Sequence, residues 1–196
     1  MVSEGFDSGS LTLVSNDFQL FGLPLSYEID SAVLEDRWKQ LQRKVHPDQF
    51  ASQSAADKRL AMQWSVRVNE AYQRLKHPLR RAAYLCELHG VPIRAEGNTC
   101  MPTAFLMQQM QWREALDEAN DTSAIHELEQ QLSVEKKKIL HECIEAMELH
   151  SDWSQAAESV RALMFIERFE QDLDNRLEQL ENLSLIHISE PTRRRG

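Results

Sequence analysis

Apolar residues recur every three or four positions along nearly the whole chain, a spacing that predicts helices almost throughout. Leu34, Trp38, Leu41 and Val45 fall on one face of a helix that Asp30 would cap. Pro47 would end it, because proline lacks an amide donor and biases the residue before it away from helical backbone. Ala61, Trp64, Val68, Ala71 and Leu75 mark a second helix, from about 55 to 75. Residues 30–75 therefore read as a helical hairpin whose loop carries His46, Pro47 and Asp48. Trp38, Trp64, Tyr72 and Leu75 are assigned to its core. The segment 17–22 (DFQLFG) reads as a short apolar turn ended by Gly22 and Pro24. Pro78 opens a further helix with Ala82, Leu85 and Leu88 on one face and Gly90 at its end. Tyr84 and Leu85 are read as joining this region to the rest of the chain.

Residues 89–103 hold Gly90, Pro92, Gly97, Asn98 and Pro102 in a short space and read as a linker. Three helices are expected after it: 104–119, about 123–149 and about 152–181. The second has the stripe Ile125, Leu128, Leu132, Ile139, Cys143 and Met147; the third has Val160, Leu163, Ile166, Phe169, Leu173, Leu177 and Leu180. Short joins favour an antiparallel bundle. The expected fold is all-α, a helical hairpin joined to an antiparallel three-helix bundle, with domains at 17–88 and 104–182. Residues 1–16 read as a disordered leader. Residues 183–196 lose the stripe and end in three arginines, so they read as a disordered tail and a cloning remnant, a phosphate-binding peptide being the alternative.

Composition narrows the class of function. The 196 residues include only six Gly and six Pro, and mean hydropathy is −0.51, which fits a water-soluble helical protein. No run approaches the roughly 18 apolar residues of a membrane span, so no membrane partner is expected. A net charge of −9 argues against nucleic acid as a partner, since phosphate backbones repel acidic surfaces. Residues 1–103 are neutral overall, whereas 104–182 carry 18 acidic and 7 basic side chains, which suggests two modules with different tasks. Cys86, Cys100 and Cys143 have no zinc-ligand spacing and read as reduced thiols. Residues 1–16 lack a signal-peptide pattern, so a cytoplasmic protein is expected.

No nucleotide-binding, hydrolase-elbow or metalloprotease motif occurs, so neither enzymatic activity nor a cofactor or metal is expected. His46-Pro47-Asp48 carries the most information. A proline-locked loop holds an imidazole and a carboxylate on a rigid tip, where Asp48 could accept a charge-assisted hydrogen bond from a partner arginine. The preceding helix supplies Arg37, Lys39, Arg43 and Lys44, a basic surface suited to an acidic partner. The bland alternative is an ordinary turn beside ordinary surface charge.

DFQLFGL, KQLQRKVHPDQF and VNEAYQRLKHPLRRAAYL together resemble a J-domain. Leu88-His89-Gly90 followed by AFLMQQMQWREALDE resembles the HscB-type co-chaperones of iron–sulfur cluster assembly, and the likeness spans about 17–181. The resemblance implies a J-domain that docks on a DnaK-type (HscA-like) chaperone and stimulates its ATP hydrolysis. His46, Pro47 and Asp48 would form the triggering loop, with Arg37, Arg43 and Lys44 for electrostatic docking. It implies that the C-terminal bundle binds an IscU-like iron–sulfur scaffold protein. A general J-domain co-chaperone with a different client is the alternative.

On 104–119 the apolar residues Phe105, Leu106, Met107, Met110, Trp112 and Leu116 cover a wider arc than one buried stripe needs. Phe105, Trp112 and Leu116 can face the core together, which leaves Leu106, Met107 and Met110 toward another side. Exposed Leu and Met suit an adaptable binding patch. The resemblance adds Phe165 to that patch and Gln111 and Glu114 to its rim. Core or interdomain packing is the alternative for Leu106 and Met110. Lys136, Lys137 and Lys138 read as a solvated face.

Overall fold

The structure is a computed structural model that describes residues 12–46, 54–93 and 101–189, the last seven of these by backbone alone. It divides after Gly90 into two units. Among the described residues all regular structure is helical. The first unit holds α1 (Asp17–Leu20), α2 (Ser31–Val45), α3 (Ala55–Lys76) and α4 (Pro78–Leu88); the second holds α5 (Thr103–Glu118), α6 (Thr122–Glu148) and α7 (Trp153–Ser189).

Helix starts follow local chemistry. Asn16 accepts from the Gln19 amide while the Gln19 side chain returns to the Asn16 amide, a reciprocal cap for α1. The Asp30 carboxylate accepts from Ala32 and Val33 at the start of α2, Ser54 from Asp57 at α3, and Asp121 from Ala124 at α6. Each such cap satisfies amides that the first turn leaves without a partner and contributes about 1 kcal/mol. His46 ends α2 in extended backbone, φ −62° and ψ 130°, as a residue before proline should.

The first unit is organised around Asp17, whose side chain is fully buried. Its two carboxylate oxygens face Arg67 at 2.6 Å and Arg74 at 2.9 Å, both from α3. The Asp17 amide donates to Tyr84 Oη at 3.1 Å, and the Tyr84 ring stacks on Phe18 with centroids 6.2 Å apart. Arg67 also donates to the Ser15 carbonyl at 2.8 Å. Hence α1 is bound to α3 and α4 together, and Ser15 and Asn16, counted with the leader in the sequence reading, belong to the ordered unit. Tyr84 bonds and stacks within the first unit, and Leu85 is part of the same buried core. The hairpin closes where Trp38 stacks on Tyr72, centroids 4.4 Å apart, and Trp38 Nε1 donates to Asn69.

The second unit has a core of Ile125, Leu128, Leu132, Cys143, Val160, Leu163, Ile166 and Phe169 between α6 and α7. Trp112 is 4% exposed and fastens α5 onto that pair. Arg176 of α7 donates to the Ala119 carbonyl at 3.0 Å and satisfies the C-terminal end of α5. The helix α7 continues to Ser189, beyond the 182 at which the sequence reading ends the bundle. The stretch 183–189 contains neither glycine nor proline, and its β-branched residues cost a helix only tenths of a kcal/mol each. The rest of the expected tail, most of the leader and 94–100 of the linker lie outside the described residues.

Breaking the buried pair by Asp17→Asn should leave two arginines facing a neutral amide. The expected cost is about 3 kcal/mol, the low end for such a change because Arg74 retains water contact. It would be read as a lower denaturant midpoint at unchanged slope; an unchanged midpoint would refute the organising role given to this clasp.

Candidate functional site

Two surfaces carry the residues singled out from the sequence. The first is the C-terminal end of α2. His46 is exposed there, one residue past Val45, which is buried and anchors the helix end to the core. Pro47 and Asp48 lie outside the described residues. Arg43 and Lys44 are exposed in the last turn, where positive charge also favours the helix end through the dipole.

Arg37 stands apart from them. Its guanidinium turns inward and donates to the Phe21 and Gly22 carbonyls at 2.5 Å each. Gly22 has φ +58°, which favours glycine, and a Cβ there would sit 2.8 Å from Arg37 Nη1 and push that guanidinium aside. The sequence groups Arg37 with Arg43 and Lys44 as docking charge; the structure gives it the task of holding the turn after α1 against α2. Lys39 is paired with Glu35 at 2.6 Å, and each partner favours the other's charged form: the glutamate pKa is lowered and the lysine pKa raised, chiefly by the hydrogen bond between them.

The second surface is on α5. Met107, Met110, Gln111 and Glu114 follow the i, i+3, i+4, i+7 spacing that puts residues on one helix face. Met107 is 59% exposed and Met110 is 71% exposed, with Gln111 and Glu114 exposed beside them. Leu106 is half-buried at the edge of this face. On the opposite side of the helix, Phe105 and Trp112 meet Phe165 and Phe169 of α7. Phe105 is edge-on to Trp112 and to Phe165, both at 6.0 Å, while Trp112, Phe165 and Phe169 stack at 5.9 to 6.4 Å. The structure therefore keeps the expected division of α5 into a core side and an outer side.

Phe165 joins the two sides. It is half-buried, and Arg113 of α5 lies over its ring, 5.7 Å from the centroid. Leu106 and Met110 precede Arg113 by seven and three residues and so lie along the same edge of α5. Phe165 thus emerges beside an edge lined with Leu106 and Met110, while Met107, Gln111 and Glu114 continue the surface outward. Arg113 was not singled out from the sequence. Its signal was there: it is the sole basic residue of α5 and lies at helical spacing from two apolar positions, Leu106 and Met110. Among the described residues no group of three or more His, Cys, Asp or Glu could hold a metal, and no helix is long and apolar enough to cross a membrane.

The chain is similar to known proteins along most of its length. Residues 101–174 match a family described as the HSCB C-terminal oligomerisation domain. The chain is 47% identical over 157 residues to the Co-chaperone protein HscB homolog of Bordetella petrii, covering 80% of this chain and 92% of that one. It is 43% identical to the homolog from Azoarcus sp., covering 88% and 99%. Among solved structures, chaperone HscB from Vibrio cholerae superposes with a TM-score of 0.78 at 36% identity, covering 84% of this chain and 99% of that one. Human co-chaperone protein HscB does so with the same score at 31% identity, covering 84% and 83%.

The two sides of α5 should separate on mutation. Trp112→Ala is expected to cost about 3–5 kcal/mol as a buried aromatic. Met107→Ala and Met110→Ala should each change stability by less than about 0.5 kcal/mol. Thermal or denaturant unfolding decides this; a large loss at Met110 would mean that it is packing rather than surface.

Proposed function

Because this chain belongs to the HscB family of co-chaperones, we propose that it binds an IscU-like iron–sulfur scaffold protein through the α5 surface and delivers it to an HscA-like DnaK-type chaperone. Delivery is coupled to hydrolysis: the first unit stimulates the chaperone's ATPase while the second holds the client beside it. The ATPase site is the partner's, so this chain acts as regulator and adaptor. His46, Pro47 and Asp48 act as the trigger, and Arg43 and Lys44 steer an acidic partner surface onto the end of α2. Arg37 serves the same surface indirectly, by fixing the turn that packs on α2. The reading implies the cytoplasm, where ATP for such a chaperone is held.

The observation that carries the client assignment is the exposure of Met107 and Met110 on a helix whose other face packs through Trp112 and the half-buried Phe105. Burying two long apolar side chains at an interface supplies affinity without a designed pocket, and methionine adapts to an irregular partner surface. Gln111 and Glu114 at the rim add hydrogen bonds and exclude water from the centre. The general co-chaperone alternative draws less support, since the likeness to HscB proteins extends through the second unit.

Leu106→Ala combined with Met110→Ala is expected to weaken calorimetric binding of the scaffold protein by about tenfold or more. Unchanged affinity in a folded double variant would remove the client from this face. His46→Gln should abolish stimulation of single-turnover ATP hydrolysis by the chaperone and leave the helical circular dichroism intact. Full stimulation by that variant would rule out the loop as the trigger.

A further inference from the structure

Among the described residues of the second unit there are four arginines: Arg113, Arg161, Arg168 and Arg176. Arg176 is committed to the Ala119 carbonyl. The other three gather around Phe165. Arg113 lies over its ring, and Arg161 and Arg168 flank it on α7 at four residues before and three after, spacings that place them on the Phe165 side of that helix. Among the described residues none of the three has a carboxylate within 4 Å. Glu158 and Asp172, one turn from Arg161 and Arg168, do not close on them. Arg161 is half-buried, and its Nε is buried without a hydrogen-bond partner.

That distribution is unexpected for ordinary surface charge. The stretch 104–182 carries 18 acidic side chains, so an arginine placed without selection would find a carboxylate nearby. On α6, Lys136 pairs with Glu170 at 2.7 Å and Lys138 with Glu135 at 3.2 Å. The unpaired guanidiniums are concentrated instead at one end of the α5 surface, beside its half-buried aromatic ring. At the other edge Glu114 and Glu118 are exposed and acidic. The surface is therefore uneven: three arginines stand nearest Phe165, Asp117 of α5 and Asp172 of α7 meet at a groove one turn further on, and Glu114 and Glu118 run along the outer side of α5.

We infer that Arg113, Arg161 and Arg168 form a cationic rim around Phe165 that receives carboxylates of the delivered scaffold protein and fixes the direction in which it lies across α5. This inference rests on the client assignment above and deepens it. A planar guanidinium matches a carboxylate with two parallel hydrogen bonds, and beside a buried apolar contact such pairs are shielded from water. The polarity rejects the reversed orientation, in which like charges would meet at both ends. The complementary partner surface carries acidic groups opposite Phe165 and basic groups opposite Glu114.

The test is calorimetric binding of the same scaffold protein to the full chain between roughly 50 and 300 mM salt, a range over which exposed charge pairs are progressively screened. Arg168→Glu and Arg113→Gln change exposed side chains and should leave the melting temperature in place; Lys137→Glu on α6 controls for overall charge. Arg168→Glu is expected to weaken binding by about tenfold and to flatten the salt dependence, with a smaller loss for Arg113→Gln and none for Lys137→Glu. If Arg168→Glu weakens binding no more than Lys137→Glu, the rim is refuted. Met110→Ala measured in parallel separates the two readings. Loss there with none at Arg168 keeps the client face and overturns the rim. Loss at Arg168 with none at Met110 keeps the rim and overturns the apolar contact, and no loss at either overturns both.

Discussion

A carboxylate sealed from water is untenable unless cations meet it, and the first unit is built around that requirement. Asp17 lies fully buried between Arg67 and Arg74, two turns apart on the same face of α3. Once the clasp is made, the rest of the unit has little freedom. Phe18 is brought onto Tyr84, Ser15 is drawn to Arg67, and the turn after α1 arrives where Arg37 can hold the Phe21 and Gly22 carbonyls. The end of α2, with Arg43, Lys44 and His46 exposed on it, is thereby presented from a fixed base.

The second unit solves a different problem. The apolar residues of α5 divide between its core side and its outer side. On α5 the aromatic residues settle this. Trp112 and Phe105 are large enough to anchor the helix from one side through their stack with Phe165 and Phe169, so that Met107 and Met110 are not needed for stability and remain outside. Phe165 is half-buried, and its ring both completes the stack and lies under Arg113. The core and the outer surface of the unit meet at that one residue.

Charge is partitioned along the same lines. In the first unit the inward arginines neutralise Asp17, cap a turn, or, in Arg81, bond the Leu75 carbonyl from a buried position over Tyr27; burial there lowers the pKa of a group that stays charged at any physiological pH. In the second unit the acidic excess is solvated along the helices, and among the described residues the arginines without a carboxylate partner include Arg113, Arg161 and Arg168. Net charge alone would have concealed this, because −9 describes neither surface.

The sequence by itself determined the helices, their caps and their stops, because these depend on spacing and on side chains within three or four residues of the backbone they satisfy. It also determined that α5 has more apolar residues than one buried face can use, and it gave enough motif around His46-Pro47-Asp48 to point to a family. What it could not decide is which polar groups are spent inside the fold. Arg37, Arg43 and Lys44 look alike along the chain, yet Arg37 faces two carbonyls from a segment 15 and 16 residues away. Asp17 looks like an ordinary helix-start acid, although the i, i+7 pair of Arg67 and Arg74 was a sign that some anion lay opposite. The gathering of Arg113 with Arg161 and Arg168 required α5 to cross α7 at Phe165. Such assignments depend on contacts between residues far apart in sequence, and only tertiary packing brings the two partners within reach of each other.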